Sequence, residues 1–283
     1  MRASWSSPWL FILAATGSAV GLGNIWRFPY VTGENGGGAF VILYLFFVFF
    51  MGLPILFSEI LIGKRAQQNP INAMRTVALE SGAQKRWEII GIFGVLAGCL
   101  ILSFYSVIAG WCLSYAYDYL MMVDASLSIK DAEDRLNHLI TSPYILIIWH
   151  TIFMIVTVII VARGLKKGLE LATKFLMPVL FTMLLLLVGH AIIVGDFLST
   201  VAYLFAPNFS QVSAKTVLLA MGQAFFSLSI GMGAIMVYGS YLPPGVSARK
   251  CALSIAIADT LVAVLAGFAI FPIVFAYGLE PSQ

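Results

Sequence analysis

Four ionisable residues lie in or beside long apolar stretches of this 283-residue chain: Arg27, Glu59, Asp118 and Asp259. Asp259 is the most telling, because it falls in the middle of "CALSIAIADTLVAVLAG", where a carboxylate is costly unless a cation pairs with it. Hydroxyls or an arginine could also hold it for packing alone. Glu59 and Asp118 fall towards the ends of their apolar stretches, where snorkelling or a local salt bridge suffices. Arg27 stands beside Phe28 and Tyr30, about two turns from its helix end, either as an interfacial anchor or as a guard on an external vestibule. Two further segments, "GSAVGLGNIWRFPY" (17–30) and "SLSIGMG" (227–233), place glycines and hydroxyls inside apolar sequence. Unwinding a helix there exposes carbonyls and N–H groups that cost several kcal/mol each unless something binds them. A cluster of carbonyls suits a cation, and the N-terminus of a half-helix suits an anion. The competing reading of Gly17 and Gly21, at GxxxG spacing, is a plain helix-packing face.

The elements that must position these groups are membrane helices. The chain is 60% hydrophobic and 10% charged, with a mean hydropathy of +0.96, which excludes an ordinary soluble surface. Spans are predicted at about 8–32, 38–62, 87–122, 143–162, 169–190, 214–241 and 250–277. With a cytoplasmic N-terminus, the inside segments hold Arg2; Lys64, Arg65, Arg75, Lys85 and Arg86; Arg163, Lys166, Lys167 and Lys174; and Arg249 and Lys250. These are 12 of the 16 Lys and Arg, as the positive-inside rule requires. The first stretch lacks a small-residue cleavage site and reads as a retained span. The third span is too long for a perpendicular crossing. The polar stretch "DASLSIKDAEDRLNHL" after it is expected to form a short surface helix, and "GDFLSTVAYLFAPNFSQVS" a partly buried external loop. Cys99, Cys112 and Cys251 lack metal-ligand spacing and read as buried thiols. The small net charge of +3 gives no signal for nucleic acid, and no nucleophile–base arrangement or phosphate loop points to an enzyme. Interrupted first and sixth spans are the pattern of a transporter built from five-plus-five inverted repeats.

The chain closely resembles the neurotransmitter:sodium symporter family, whose bacterial member LeuT exemplifies broken transporter helices. The resemblance rests on "GSAVGLGNIWRFPY" followed by "ENGGGAF", "GLPILFSEILIGK", "SFYSVIAGW" and "GQAFFSLSIGMGAIMVYGSY". It implies an all-α membrane protein of LeuT-like inverted-repeat fold that carries sodium and an amino acid. One sodium site would use the carbonyl of Ala19 and the side chains of Asn24, Ser227 and Asp259; the other would use the carbonyls of Gly17 and Val20. The substrate carboxylate would meet the N–H groups of Leu22 and Gly23, the Tyr105 hydroxyl and a sodium ion. Ser18, Ile101, Phe226, Ser229 and Met232 would line an apolar pocket. Gly21 stands where monoamine carriers of the family place a carboxylate, which favours a substrate that brings its own. Met232, where some relatives have Phe, leaves room for a large or aromatic side chain.

The same resemblance assigns outer closure to Arg27, Gln223 and Phe226, and inner closure to Arg2, Trp5 and Tyr241. It also marks Gly168 and Pro178, separated by nine residues, as a place where the fifth helix unwinds or kinks. Chloride-dependent relatives hold the anion with groups matching Tyr44, Gln223 and Ser227, beside a neutral residue. Here Asp259 supplies a fixed negative charge, so chloride independence is expected. The expected organisation is a first five-helix repeat over 1–190, an external loop over 191–213, and two helices of an incomplete second repeat over 214–283. The family carries about twelve spans and this chain seven, so a fragment of a longer protein, or a truncation, is expected. A plasma-membrane symporter of a hydrophobic amino acid is the leading expectation. Its alternatives are a non-transporting protein that modulates a full-length partner and a proton-driven carrier in which Asp259 titrates. Sodium, the amino acid and membrane lipid are the partners expected.

Overall fold

A computed structural model of the chain describes residues 4–121 and 129–281. Among them are thirteen α-helices and no strand: α1 (Pro8–Ala19), α2 (Phe28–Glu34), α3 (Gly38–Phe47), α4 (Leu53–Ala66), α5 (Pro70–Glu80), α6 (Glu88–Met121), α7 (Ile129–Thr141), α8 (Pro143–Ala162), α9 (Leu171–Val194), α10 (Phe197–Phe205), α11 (Ala214–Ser227), α12 (Ala234–Gly239) and α13 (Ala248–Ala276). Helix starts follow local chemistry. Ser7 caps α1 by accepting from the Leu10 N–H, with Pro8 at the first position, and Asn69 does the same for α5 ahead of Pro70. Ser213 and Thr216 form a reciprocal capping box at the start of α11.

Five stretches are long and apolar enough to cross a bilayer: Gly38–Ala66, Lys85–Met121, Pro143–Ala162, Leu165–Val194 and Ala248–Ala276. Pro8–Ala19 and Gly23–Glu34 make a further crossing bent by 51°. The remaining predicted span is divided into α11 and the short α12, with residues 228–233 between them. Both interruptions therefore fall at the glycine-rich segments. At the first, Val20 turns extended (φ −74°, ψ 115°) and a π-helical turn over Gly23–Arg27 leads into α2. At the second, Ser229, Gly231 and Gly233 all have positive φ, a backbone region costly for residues with a side chain. The long third span is one helix, α6, continuous over 34 residues.

The core lies where α1, α3, α4, α11 and α13 meet, filled by Phe11, Phe28, Phe40, Tyr44, Leu56, Leu228, Ile255 and Phe271. Close contact between elements depends on missing side chains. A Cβ on Gly63 of α4 would overlap the Met236 carbonyl oxygen of α12, and one on Gly168 would overlap the Ile160 carbonyl oxygen of α8. In contrast α8 buries no residue: it packs along α6 on one side and turns the rest of its apolar surface outward, as a peripheral membrane helix does.

Two expectations change, and a third is met. The stretch after the fifth span is largely helical, not loop: α10 inserts the buried Thr200 and Leu204, and Tyr203 donates its hydroxyl to the carbonyls of Thr32 and Gly33. The polar stretch after α6 is helical from Ile129, as α7, while its first residues lie outside the described ones. Only Cys251 is buried; Cys99 and Cys112 are exposed, because α6 presents them on the side away from its neighbours.

Candidate functional site

Asn24, Ser227 and Asp259 come from three different elements and converge on one buried point. Each has no exposed surface. The Asn24 amide nitrogen donates to Ser227 Oγ at 2.9 Å, to Asp259 Oδ1 at 2.8 Å and to the Asp259 carbonyl at 3.1 Å. Ser227 donates to Asp259 Oδ2 at 2.6 Å, and the Tyr44 hydroxyl lies 3.3 Å from Ser227 Oγ and 3.5 Å from Asp259 Oδ2. Asn24 Oδ1 accepts from the Gly21 N–H at 3.3 Å, across the first break. Among the described residues this carboxylate has no Lys or Arg within ion-pairing distance. Its environment is hydroxyl, amide and carbonyl oxygen, the donor set that suits a hard monovalent cation.

The main chain of the first break adds more oxygen. Among the described residues no hydrogen bond reaches the carbonyls of Gly17, Ala19 or Val20, whereas the Ser18 carbonyl accepts from Ser229 Oγ at 2.9 Å, tying the two breaks together. Gly17 has no room for a side chain: a Cβ there would come 2.7 Å from Met177 Sδ of α9. Gly21 and Gly23 are likewise confined, with a hypothetical Cβ 3.0 Å from the Tyr105 hydroxyl and 2.9 Å from the Phe226 ring.

A cavity of about 740 Å³ opens beside these glycines, lined by Leu22, Gly23, Trp26, Arg27, Tyr30, Val31, Glu34, Ile101, Phe104, Tyr105, Ile108, Leu219, Gly222 and Phe226. Of the residues expected to hold substrate, Leu22, Gly23, Ile101, Tyr105 and Phe226 line it. Ser18, Ala19, Gly21, Ser227, Ser229 and Met232 do not, and belong to the breaks below. Tyr105 and Phe226 face each other with centroids 6.2 Å apart. At the cavity mouth Arg27 donates to Gln223 Oε1 at 3.0 Å and lies 4.9 Å from the Phe226 ring centroid, while Gln223 donates to the Gly23 carbonyl at 2.8 Å. Gln223 is thus committed to Arg27 and Gly23 and takes no part in the Tyr44–Ser227–Asp259 cluster.

The opposite end is fastened by Trp5. Its indole N–H donates to the Tyr238 carbonyl at 3.0 Å, its main-chain N–H to the Tyr241 carbonyl at 3.1 Å, and its ring stacks on Tyr238 with centroids 5.8 Å apart. Arg2, expected in the same closure, lies outside the described residues. Pro178 sits inside an unbroken α9, and the π-helical turn Leu165–Glu170 precedes it. The unwinding expected between Gly168 and Pro178 is therefore not seen in this conformation, and Gly168 serves helix contact.

Glu59 overturns its sequence reading. It is 4% exposed, not snorkelling, and its Oε1 accepts from the Gly231 N–H at 2.7 Å inside the second break. Asp118 lies near the end of α6 and lines a cavity with Tyr115, Arg135 and His138. Sequence reasoning also passed over Tyr203 and Met177, since neither carries a motif and both act through packing.

Comparison with known proteins fits this geometry. A family model described as the sodium:neurotransmitter symporter family matches residues 2–126 and 135–278. The chain belongs to that family. A sodium-dependent transporter of Bacillus subtilis (strain 168), YhdH, is 39% identical over 99% of this chain and 61% of its own length. A sodium-dependent transporter of Haemophilus influenzae is 36% identical, over 99% of this chain and 63% of its own. The crystal structure of MhsT in complex with L-phenylalanine superposes with a TM-score of 0.93 at 45% identity, covering the whole of this chain and 64% of that one. The symporter-family fold is therefore the LeuT-like one, in a multi-pass membrane protein, and the chain spans about three-fifths of the length of these relatives.

Proposed function

We propose that this symporter-family chain is the substrate- and sodium-binding part of a carrier that moves a hydrophobic amino acid into the cell with sodium. The observation that carries the reading is the first break itself, where unpaired carbonyls stand next to a fully buried Asn24–Ser227–Asp259 cluster that has no cationic side chain. Such an arrangement is stable when a cation takes the place of the missing partner. Sodium would bind the Ala19 carbonyl with Asn24, Ser227 and Asp259, and a second ion the carbonyls of Gly17 and Val20. The substrate carboxylate would sit at the N–H groups of Leu22 and Gly23, beside the Tyr105 hydroxyl, where the following helical turn offers its positive end.

The side chain of the substrate would enter an apolar space walled by Ile101 and Phe226, with Ser18, Ser229 and Met232 at its floor. No charged group lines that floor, and the L-phenylalanine in the MhsT structure supports an aromatic or branched substrate. Arg27, Gln223 and Phe226 would close the outer side; Trp5, Tyr241 and Arg2 the inner. Gly168 and Pro178 remain candidates for an inward-opening joint. The orientation proposed puts the N-terminus in the cytoplasm of a plasma-membrane protein, and the two breaks at the start of two repeats, over 1–190 and from 214 onwards, with 191–213 external.

The test is uptake of labelled L-phenylalanine into proteoliposomes by the complete protein. An inward sodium gradient should drive accumulation at constant pH, and a proton gradient without sodium should not. Accumulation driven by the proton gradient alone would move the assignment to a proton-driven carrier, and sodium-independent loss of all binding would leave only a non-transporting role.

A further inference from the structure

The second break contains a carboxyl group that neither the ion sites nor the substrate pocket uses. Glu59 projects from the C-terminal third of the Gly38–Ala66 span, where it is 4% exposed, and its Oε1 takes the Gly231 N–H at 2.7 Å. Its Oε2 is buried without a hydrogen-bond partner among the described residues. Gly231 sits at φ +83°, and Gly94 of α6 packs against it closely enough that a Cβ on Gly94 would come 3.1 Å from the Gly231 carbonyl oxygen.

The charged groups on the elements packed around Glu59 are engaged elsewhere. On its own helix Lys64 donates to the Val246 carbonyl and Arg65 pairs with Glu80 of α5. Arg75 of α5 lies 3.8 Å from Glu88 of α6. On α13, Asp259 is held by Asn24, Ser227 and Tyr44, while Arg249 and Lys250 are exposed at the helix start. The other titratable side chains of these elements are Tyr44 of α3, Tyr238 of α12, Cys251 of α13, and Cys99, Tyr105, Cys112, Tyr115, Tyr117, Asp118 and Tyr119 of α6, and none supplies a positive charge. An ionised carboxylate with one oxygen unpaired at this depth would be an isolated buried anion; a neutral carboxyl accepting one N–H bond is the cheaper species there.

We propose that Glu59 is a proton-binding latch on the second break: the neutral carboxyl, joined to the Gly231 N–H, holds residues 228–233 in place, and loss of its proton to water lets the break open. The proton moves between Glu59 Oε2 and solvent, with no other bond changed. The latch does not depend on which ion or solute the first break binds.

Infrared difference spectroscopy of the complete protein in lipid, wild type against Glu59→Gln, should show a protonated carboxylic-acid carbonyl band at neutral pH that the variant lacks. Backbone hydrogen exchange over residues 228–233, corrected for intrinsic rates, should accelerate about tenfold on alkalinisation in the wild type and stay flat in Glu59→Gln, whose amide keeps the acceptor and cannot ionise. An ionised Glu59 at neutral pH overturns the latch. So does exchange with the same pH dependence in both proteins. If Glu59→Gln does not fold, the wild type alone decides: band and exchange must titrate together, and separate transitions overturn the proposal. Failure of sodium-driven uptake alongside a titrating band would sink the transport reading and leave the latch standing.

Discussion

At the residue scale, the chemistry rests on how Asp259 is neutralised. Its carboxylate receives Ser227 and Asn24 at 2.6 and 2.8 Å, which disperses the charge without cancelling it. Asp259→Asn keeps the shape and removes the charge, so we expect apparent sodium affinity to fall by at least tenfold, equivalent to about 1.4 kcal/mol. The vacated charge should also make uptake respond to chloride, since Tyr44 and Ser227 remain as donors. Exchange of chloride for gluconate checks this: no effect on the wild type and stimulation by chloride in the variant are the expected results, and a wild type that needs chloride contradicts the reading. Asp259 was legible in sequence because it is a carboxylate among apolar residues, whereas its grouping with Asn24 and Ser227 followed from the resemblance to the symporter family. Glu59 was misread because its partner is a main-chain N–H at Gly231, 172 positions away, which leaves no mark on the sequence around it.

At the scale of elements, the two breaks were legible because glycine clusters interrupt apolar runs, and the structure puts positive φ at Gly231 and Gly233. Helix α10 was not legible, since its content depends on docking: Gly37 and Gly38 lie so close to Tyr203 and Leu204 that a Cβ on Gly38 would come 2.8 Å from the Leu204 carbonyl oxygen. The start of α10 carries its own pH signal. The Ser199 hydroxyl and N–H donate to Asp196 and hold its carboxyl below the usual carboxylate range. A group depressed in this way stabilises the fold above its unfolded value and loses that contribution as pH falls through its folded one. Amide exchange in α10 should therefore quicken below the ordinary carboxylate range, and Asp196→Asn should remove the change. A second expectation concerns α4 against α12. Gly63→Ala would force a methyl into the Met236 carbonyl, separating the helix that holds Glu59 from the second break. Overpacking of this kind costs about 1–3 kcal/mol, measurable as a lower melting temperature in detergent, while Gly82→Ala, where nothing lies within 4 Å of the added carbon, is limited to the strain of its positive φ.

At the scale of the whole molecule, the proposed transport requires that the binding site communicate with one side at a time, and at one end the structure supplies a fastening built on Trp5. Trp5 is 2% exposed and joins the N-terminal segment to the end of α12 through two hydrogen bonds and a stacked Tyr238. The next residue, Ser6, donates its N–H to Glu170 at 3.4 Å, so the same few residues also reach the start of the α9 span. Burial of a tryptophan in such a site is worth about 3–5 kcal/mol against alanine, far more than the few kcal/mol that usually separate two conformers of a carrier. In Trp5→Ala the closed form should give way to one open at that end. Two consequences separate this from simple unfolding. A cysteine at Tyr241 should react with a membrane-impermeant reagent in the Trp5→Ala background and be protected in the wild type. Trp5→Phe, which keeps a ring against Tyr238 but loses the indole donor, should fall between the two. If the cysteine reacts equally in all three, the N-terminal segment is not a closure, and alternation would have to come from the outer residues Arg27 and Gln223 alone.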